Sequence, residues 1–91
     1  MLITELEWDE NNIEHIARHQ VTPEDVEEVA FDDEPYIRKV KKSAINEMLG
    51  QTASGRYLKI IYVIKGNQRS KIITARDMND WERKYYRRRG K

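Results

Sequence analysis

The chain of 91 residues contains no cysteine, two prolines, four glycines and one phenylalanine. Without cysteine there is neither a disulfide framework nor a thiolate metal site. Scarce proline and glycine, falling where turns are expected, leave no room for a linker, so one domain over residues 1–91 is expected. A chain of this size buries roughly 60% of its unfolded surface, which supports one modest core. No apolar run approaches the roughly 20 residues that span a bilayer. The opening Met1-Leu2-Ile3-Thr4-Glu5 lacks the basic start and long apolar stretch of a signal peptide. A cytoplasmic protein without membrane contact is the expectation.

Charge is present in quantity, and it is divided. Residues 1–35 carry twelve Asp or Glu against one strong base, Arg18, for a net −11. Residues 36–91 carry sixteen Lys or Arg against four acids, for a net +12. A bipolar surface follows. The basic half is either a solvated face or a surface for phosphates or an acidic partner.

Leu2 to Trp8 alternates with period two and reads as a short edge strand. Asp9 caps a first helix with Ile13, Ile16 and Ala17 on one face, ending near His19-Gln20. Thr22-Pro23-Glu24-Asp25 opens a second helix, with Thr22 as cap, Pro23 in the first position and Asp25 closing a capping box. Val26, Val29 and Ala30 form its apolar stripe, and Asp32, Asp33 and Pro35 end it. Strands are expected at Tyr36–Val40, Ile45–Gly50, Tyr57–Ile64 and Ser70–Ala75. The last two should form a hairpin around Lys65-Gly66-Asn67. A last helix starts at Asn79, with Glu82 completing a capping box and Met78, Trp81 and Tyr85 docking it. The order predicts an α+β fold, with two N-terminal helices and a C-terminal helix packed on a small antiparallel sheet.

Several ordered segments resemble one family. Trp8-Asp9-Glu10-Asn11-Asn12 is followed by Ile16, His19 and Val21. An acidic helix then carries Glu24, Glu27, Glu28, Val29 and Phe31-Asp32-Asp33-Glu34-Pro35. Gly55-Arg56-Tyr57-Leu58, Ile60-Ile61-Tyr62, Arg69 to Arg76, Glu82 and Tyr86 follow. In this order the set resembles the BrnT family of toxin–antitoxin ribonucleases. The resemblance implies a RelE-like fold and a ribonuclease working without metal or cofactor. It also implies a ribbon-helix-helix antitoxin, with operator DNA bound only through the toxin–antitoxin complex. Two positions depart from the family pattern. Gln20 stands where members often have Gly, at about 1 kcal/mol if a left-handed turn is kept. Ser43-Ala44-Ile45-Asn46-Glu47 lacks the Arg that many members carry there.

Cleaving RNA without a metal requires deprotonating a 2′-hydroxyl, stabilising phosphorane charge and protonating the 5′-oxygen, and charge stabilisation usually dominates. Arg suits it because its planar fork stays charged and grips phosphate oxygens in pairs. Arg76 and Arg56 are the first candidates and Lys71 a further one, and they need not all converge; strand-end Arg residues that merely solvate an edge are the competing reading. Strict alternation sets Lys71 on the face of Ile73 and Ala75, and Arg76 on the other. His19 is the proton-transfer candidate, since imidazole titrates near neutrality, or else a helix C-terminal histidine favoured by the helix dipole. Arg69, Lys59, Tyr86 and Arg83 are candidates for holding RNA. Trp8 and Trp81 could stack on bases, although Trp81 lies on a stripe that reads as core. His15 and His19 share a helical face, but no third metal ligand is evident and no metal site is expected. Two rival readings use the same residues: a noncatalytic toxin-fold module that binds an antitoxin-like protein, and a nucleic-acid binder without an antitoxin.

Overall fold

The sheet is built from five strands, and their order departs from their order in the chain. In the computed structural model, residues 5–32, 35–39, 44–66 and 69–89 are described. The elements are β1 (Glu5–Glu7), α1 (Glu10–Ala17), α2 (Pro23–Glu27), which continues as a π turn over Glu28–Asp32, β2 (Tyr36–Lys39), β3 (Ile45–Gln51), β4 (Tyr57–Lys65), β5 (Arg69–Asp77) and α3 (Asp80–Arg89). Strand order is β1-β5-β4-β3-β2. The fold is α+β, but the sheet is mixed and not antiparallel. β1 runs parallel to β5, pairing Glu5 with Arg69, Leu6 with Ser70 and Glu7 with Lys71. Alternation shows which residues share a face and says nothing of direction, so the expectation of an antiparallel sheet had no support at this edge. Arg69 reaches Glu5 and Glu7 at 3.5 Å across that edge, joining the acidic and basic halves. The expected beginning of β1 at Leu2, Asp33, the end of β2 at Val40 and the turn residue Asn67 lie outside the described residues.

All three helices begin with reciprocal caps. The Asp9 carboxylate accepts from the Asn12 amide at 2.9 Å, and the Asn12 side chain accepts from the Asp9 amide at 2.8 Å. Thr22 and Asp25 do the same at 3.1 Å each way, with Pro23 in the first turn. Asn79 and Glu82 repeat it at 3.0 and 2.8 Å. The buried face of α1 differs from expectation. Asn12 and Ile16 are buried, whereas Ile13 is 38% exposed and Ala17 is exposed. Asn12 turns inward because its side-chain amide also donates to the Glu7 carbonyl at 2.9 Å, tying α1 to β1.

Neighbouring residues of β3 feed two different cores. Met48 joins Leu58, Ile60, Tyr62, Ile72 and Ala75 on the face covered by Ile16 of α1 and by Val26 and Val29. Leu49 points the other way and meets Met78 and Tyr86, beside Tyr36, Tyr57 and Tyr85. The sheet is therefore sandwiched, with α1 and α2 on one face and α3 on one end of the other. Burying these side chains supplies the main stabilising term, at about 1.5–3 kcal/mol for each large one. Trp81 does not help to dock α3, since 59% of it is exposed. Met78 and Tyr86 do that work.

A bulge alters the faces of β5. Thr74 pairs with Ile61 and Ile72 with Tyr62, so Ile73 has no opposite number. Lys71 consequently pairs with Val63, and Arg76 with Lys59. Because Lys59, Ile61 and Val63 share one face of β4, Lys71, Thr74 and Arg76 share the matching face of β5. Strict alternation, which separates Lys71 from Arg76, fails by that one residue.

Candidate functional site

Arg56 and Arg76 stand at the same end of the sheet, yet they close separate clusters. The turn from β3 to β4 aims Arg56. Thr52 donates its amide to the Arg56 carbonyl at 2.9 Å, and its hydroxyl accepts from the Arg56 amide at 3.1 Å. Gly55 supplies the positive φ of 96° that this reversal needs. The Arg56 guanidinium then takes both oxygens of Asp77 at 2.7 and 3.2 Å. It also donates to the carbonyls of His19 and Gln20 and lies 3.7 Å from Asp25. The hydrogen bond to Asp77 holds Arg56 above its ordinary value, and the same bond holds the Asp77 carboxyl below its own. Arg56 thus has little left to offer a substrate. It braces the end of α1 against β4 and β5.

Residues 76 and 77 alternate, so Arg76 faces the other side of the sheet. It meets Glu82 as a fork on a fork, at 2.9 and 3.0 Å. The Lys59 ammonium lies 3.0 Å from the same carboxylate and 3.8 Å from Glu47. Glu47 in turn lies 3.7 Å from Arg38. Five side chains therefore alternate in charge across β2, β3, β4, β5 and α3: Arg38, Glu47, Lys59, Glu82, Arg76. Three cations against two anions leave one net positive charge. Burial pushes the Glu82 carboxyl upward, but the bonds from Arg76, from the Asn79 amide and from Lys59 overcome it and hold it at about 2. Glu82 is ionised at all physiological pH, and it holds both cations in fixed positions.

The remaining expected residues are dispersed. His19 belongs with Arg56, through its own backbone carbonyl. Its exposed ring stands edge-on to His15 at 6.2 Å between centroids. Lys71 shares the face of Arg76 and forms no ion pair among the described residues. Arg69 is held by Glu5 and Glu7 at the far end of β5. Arg83 donates to the Met78 carbonyl at 3.2 Å and pairs with Asp80. Tyr86 is 1% exposed and offers a ligand no surface. Trp8 donates its indole N–H to Glu27 at 3.2 Å and packs against the core. A surface recess of about 220 Å³ between α1 and β5 includes Asp9, Asn12, His15 and Lys71 in its wall, and none of the five alternating charges.

Arg38, Glu47 and Glu82 were not singled out as site residues in the sequence. Their signal is faint: Glu47 and Glu82 are two of only four acids in the basic half. Both carboxylates converge on the Lys59 ammonium. No group of three or more His, Asp or Glu among the described residues is placed to hold a metal ion. Among the described residues no helix is long and apolar enough to cross a membrane. The arrangement is suited to holding anionic oxygens with fixed cations. The profile of the BrnT family, described as the ribonuclease toxin of type II toxin–antitoxin systems, matches residues 8–82. No curated protein matches the chain.

Proposed function

The chain belongs to the BrnT family of ribonuclease toxins of type II toxin–antitoxin systems, and on that premise we propose that the alternating charges around Arg76 are its RNA-cleaving site. The family carries an RNA substrate and an antitoxin protein partner with it. The observation that supports this site is the pair of cations, Arg76 and Lys59, fixed by one buried carboxylate on a face that α3 covers only at its end.

In this reading Arg76 stabilises the phosphorane charge, with Lys59 beside it, and neither must reorganise as the charge develops. Glu82 positions both and moves no proton, because a carboxyl held at about 2 is a weak base. Glu47, held among the described residues by ion pairs of 3.7 and 3.8 Å, accepts the 2′-hydroxyl proton. Lys59 donates a proton to the departing 5′-oxygen. Lys71, on the same face, holds a neighbouring phosphate. Cleavage is independent of metal: the place between the two carboxylates is taken by an ammonium. The fold is read as RelE-like and the protein as acting in the cytoplasm. The antitoxin is read as a ribbon-helix-helix protein, through which alone the complex meets operator DNA.

The test is cleavage of single-stranded RNA in the presence of EDTA. Arg76→Ala should lower the rate about 10²–10³-fold, the usual cost of one preorganised donor. Arg76→Lys should recover part of it, since a point charge does not reproduce the fork. Activity abolished by EDTA overturns metal independence. Full activity in Arg76→Ala overturns the site.

A further inference from the structure

Helix α3 displays an indole that its own packing does not require. Trp81 is 59% exposed, while Met78 and Tyr86 dock the helix. The indole is nevertheless held. It lies flat on the Tyr85 ring, 5.3 Å between centroids and 9° between planes. Tyr85 is braced edge-on by Tyr36 at 5.6 Å, with their hydroxyls 3.2 Å apart. The Arg38 guanidinium lies 5.4 Å from the centre of the Tyr85 ring. One face of the indole is thus supported, and the other is open to solvent. A ring fixed this way has already lost the freedom that binding would otherwise take from it.

The surroundings point to the ligand. Arg38 reaches Tyr85 on one side and Glu47 of the charged chain on the other, so the stack and the charges form one continuous surface. Trp81 also precedes Glu82, the residue that holds Arg76. Along α3, Trp81, Lys84, Tyr85 and Arg88 fall at helical spacing, and Lys84, Arg87 and Arg88 line an open stretch of surface on the same helix. Exposed cations beside an open aromatic face are complementary to phosphate and base together, the combination that proteins use for single strands.

We propose that Trp81, backed by Tyr85 and Arg38, is a stacking platform for an unpaired base of the RNA whose phosphate lies at Arg76. This rests on the ribonuclease reading above and adds a binding residue to it. A base stacks as a third layer on the open face of Trp81. Lys84 and Arg88 hold the adjoining phosphates. Stacking tolerates any base, and a purine, with the larger ring system, binds best. Trp81 acts on binding and not on the chemical step.

The experiment uses a single-stranded 2′-O-methyl oligonucleotide, which cannot be cleaved, and unmodified RNA of the same sequence. Trp81→Ala should weaken binding of the first about 10-fold, within the range measured for one stacked base. With the second, KM should rise by a similar factor while kcat stays within about two-fold. Trp81→Phe should keep most of the affinity. In a Trp8→Phe background, the remaining indole fluorescence should be quenched by the oligonucleotide. Because Trp81 is exposed, thermal melting of Trp81→Ala should match wild type, which separates binding from folding. Unchanged affinity in Trp81→Ala overturns the platform, as does a Trp81→Phe variant no better than alanine. Loss of affinity for the antitoxin alone assigns the surface to the protein partner and overturns the proposal. Wild-type protein that neither binds nor cleaves RNA overturns the ribonuclease reading itself, a result distinct from all of these.

Discussion

One carboxylate oxygen, Oε1 of Glu82, accepts both the backbone amide of Asn79 at 3.0 Å and the guanidinium of Arg76 at 2.9 Å. The start of α3 and the placing of Arg76 are therefore one event. The cap satisfies an amide that the helix leaves without an internal partner, and the same cap orients the cation that the site needs. A residue readable as a local helix signal is also the anchor of a contact that crosses the sheet.

Glu82 should give the protein a characteristic acid sensitivity. Its carboxyl is held at about 2 against an ordinary 4.5. The folded state binds this proton less readily than the unfolded chain. The stabilisation is thus complete above pH 4.5 and is lost as the pH falls towards 2. A shift of that size corresponds to on the order of 3 kcal/mol. Glu82→Gln should be less stable than wild type near pH 7 by about 2–3 kcal/mol, and the gap should narrow as the pH falls below 4.5. Urea unfolding across that range measures it. A gap that is constant with pH would show that the ionised carboxylate is not the source.

Arg56 should govern stability more than cleavage. Removing it strips partners from Asp77 and from the carbonyls of His19 and Gln20. Arg56→Ala should lower the unfolding free energy by about 1–3 kcal/mol, and Arg56→Lys should restore little, since one ammonium does not span three acceptors. At temperatures well below its melting point, Arg56→Ala should cleave RNA within a few-fold of wild type. A loss of about 10²-fold or more in a folded Arg56→Ala protein would return Arg56 to the site.

The limits of the sequence are instructive residue by residue. Caps at Asp9, Thr22 and Asn79 were legible because a cap is settled within four residues. The β4–β5 hairpin was legible because two apolar runs flank one turn. The bulge at Ile73 was not, because it depends on how two strands pair, and it reverses the separation of Lys71 from Arg76. The inward stripe of α3 was misplaced for a different reason. Its inner positions are Glu82 and Tyr86, which continue at four-residue spacing from Met78 just before the helix. A charge sits where a hydrophobe is expected, so a reading by apolarity rotates the stripe onto Trp81 and Tyr85. Burial of Glu82 is offset by the two cations that reach it from β4 and β5, beside the Asn79 amide of its own cap. Arg56 and Arg76 were candidates at the ends of two strands, and what the sequence does not show is the partner of each: Asp77 holds Arg56 and Glu82 holds Arg76.

Ser70 should be improvable. Its side chain is fully buried against the β1 edge, and its hydroxyl has no hydrogen-bond partner among the described residues. Burying an unpaired hydroxyl costs about 1–3 kcal/mol. Ser70→Ala removes the oxygen and leaves only a small void. The variant should match or exceed wild type by up to about 1 kcal/mol in urea unfolding. Marked destabilisation would mean that the hydroxyl is bonded.

Gln20 should be a second site where the natural residue is not the most stable one. Its φ is 61°, the left-handed region, and it is the one described non-glycine residue found there. The helix end explains why. The Gln20 amide donates to the Ala17 carbonyl at 2.9 Å and the Val21 amide to the Ile16 carbonyl at 3.1 Å. This is the Schellman pattern, which requires a left-handed residue between the last helical residue and the next chain segment. Its usual apolar contact is present too, as Ile16 and Val21 lie in the same core cluster. A side chain in that conformation costs about 1 kcal/mol or more, whereas glycine adopts it freely. Glycine also gives the unfolded chain more freedom, which offsets about 0.4–1 kcal/mol. The brace from Arg56 ends on the Gln20 carbonyl, which any residue keeps. Gln20→Gly should therefore raise stability by up to about 1 kcal/mol, or a melting point higher by about 4–8 °C per kcal/mol in a domain of this size. Gln20→Val, with a β-branched residue forced to positive φ, should fall below wild type. Cleavage should be unaffected in both folded variants, because this turn lies with Arg56 and not with Arg76. The ordering glycine, glutamine, valine in thermal melting tests the left-handed turn directly, and a glycine variant that melts below wild type would contradict it.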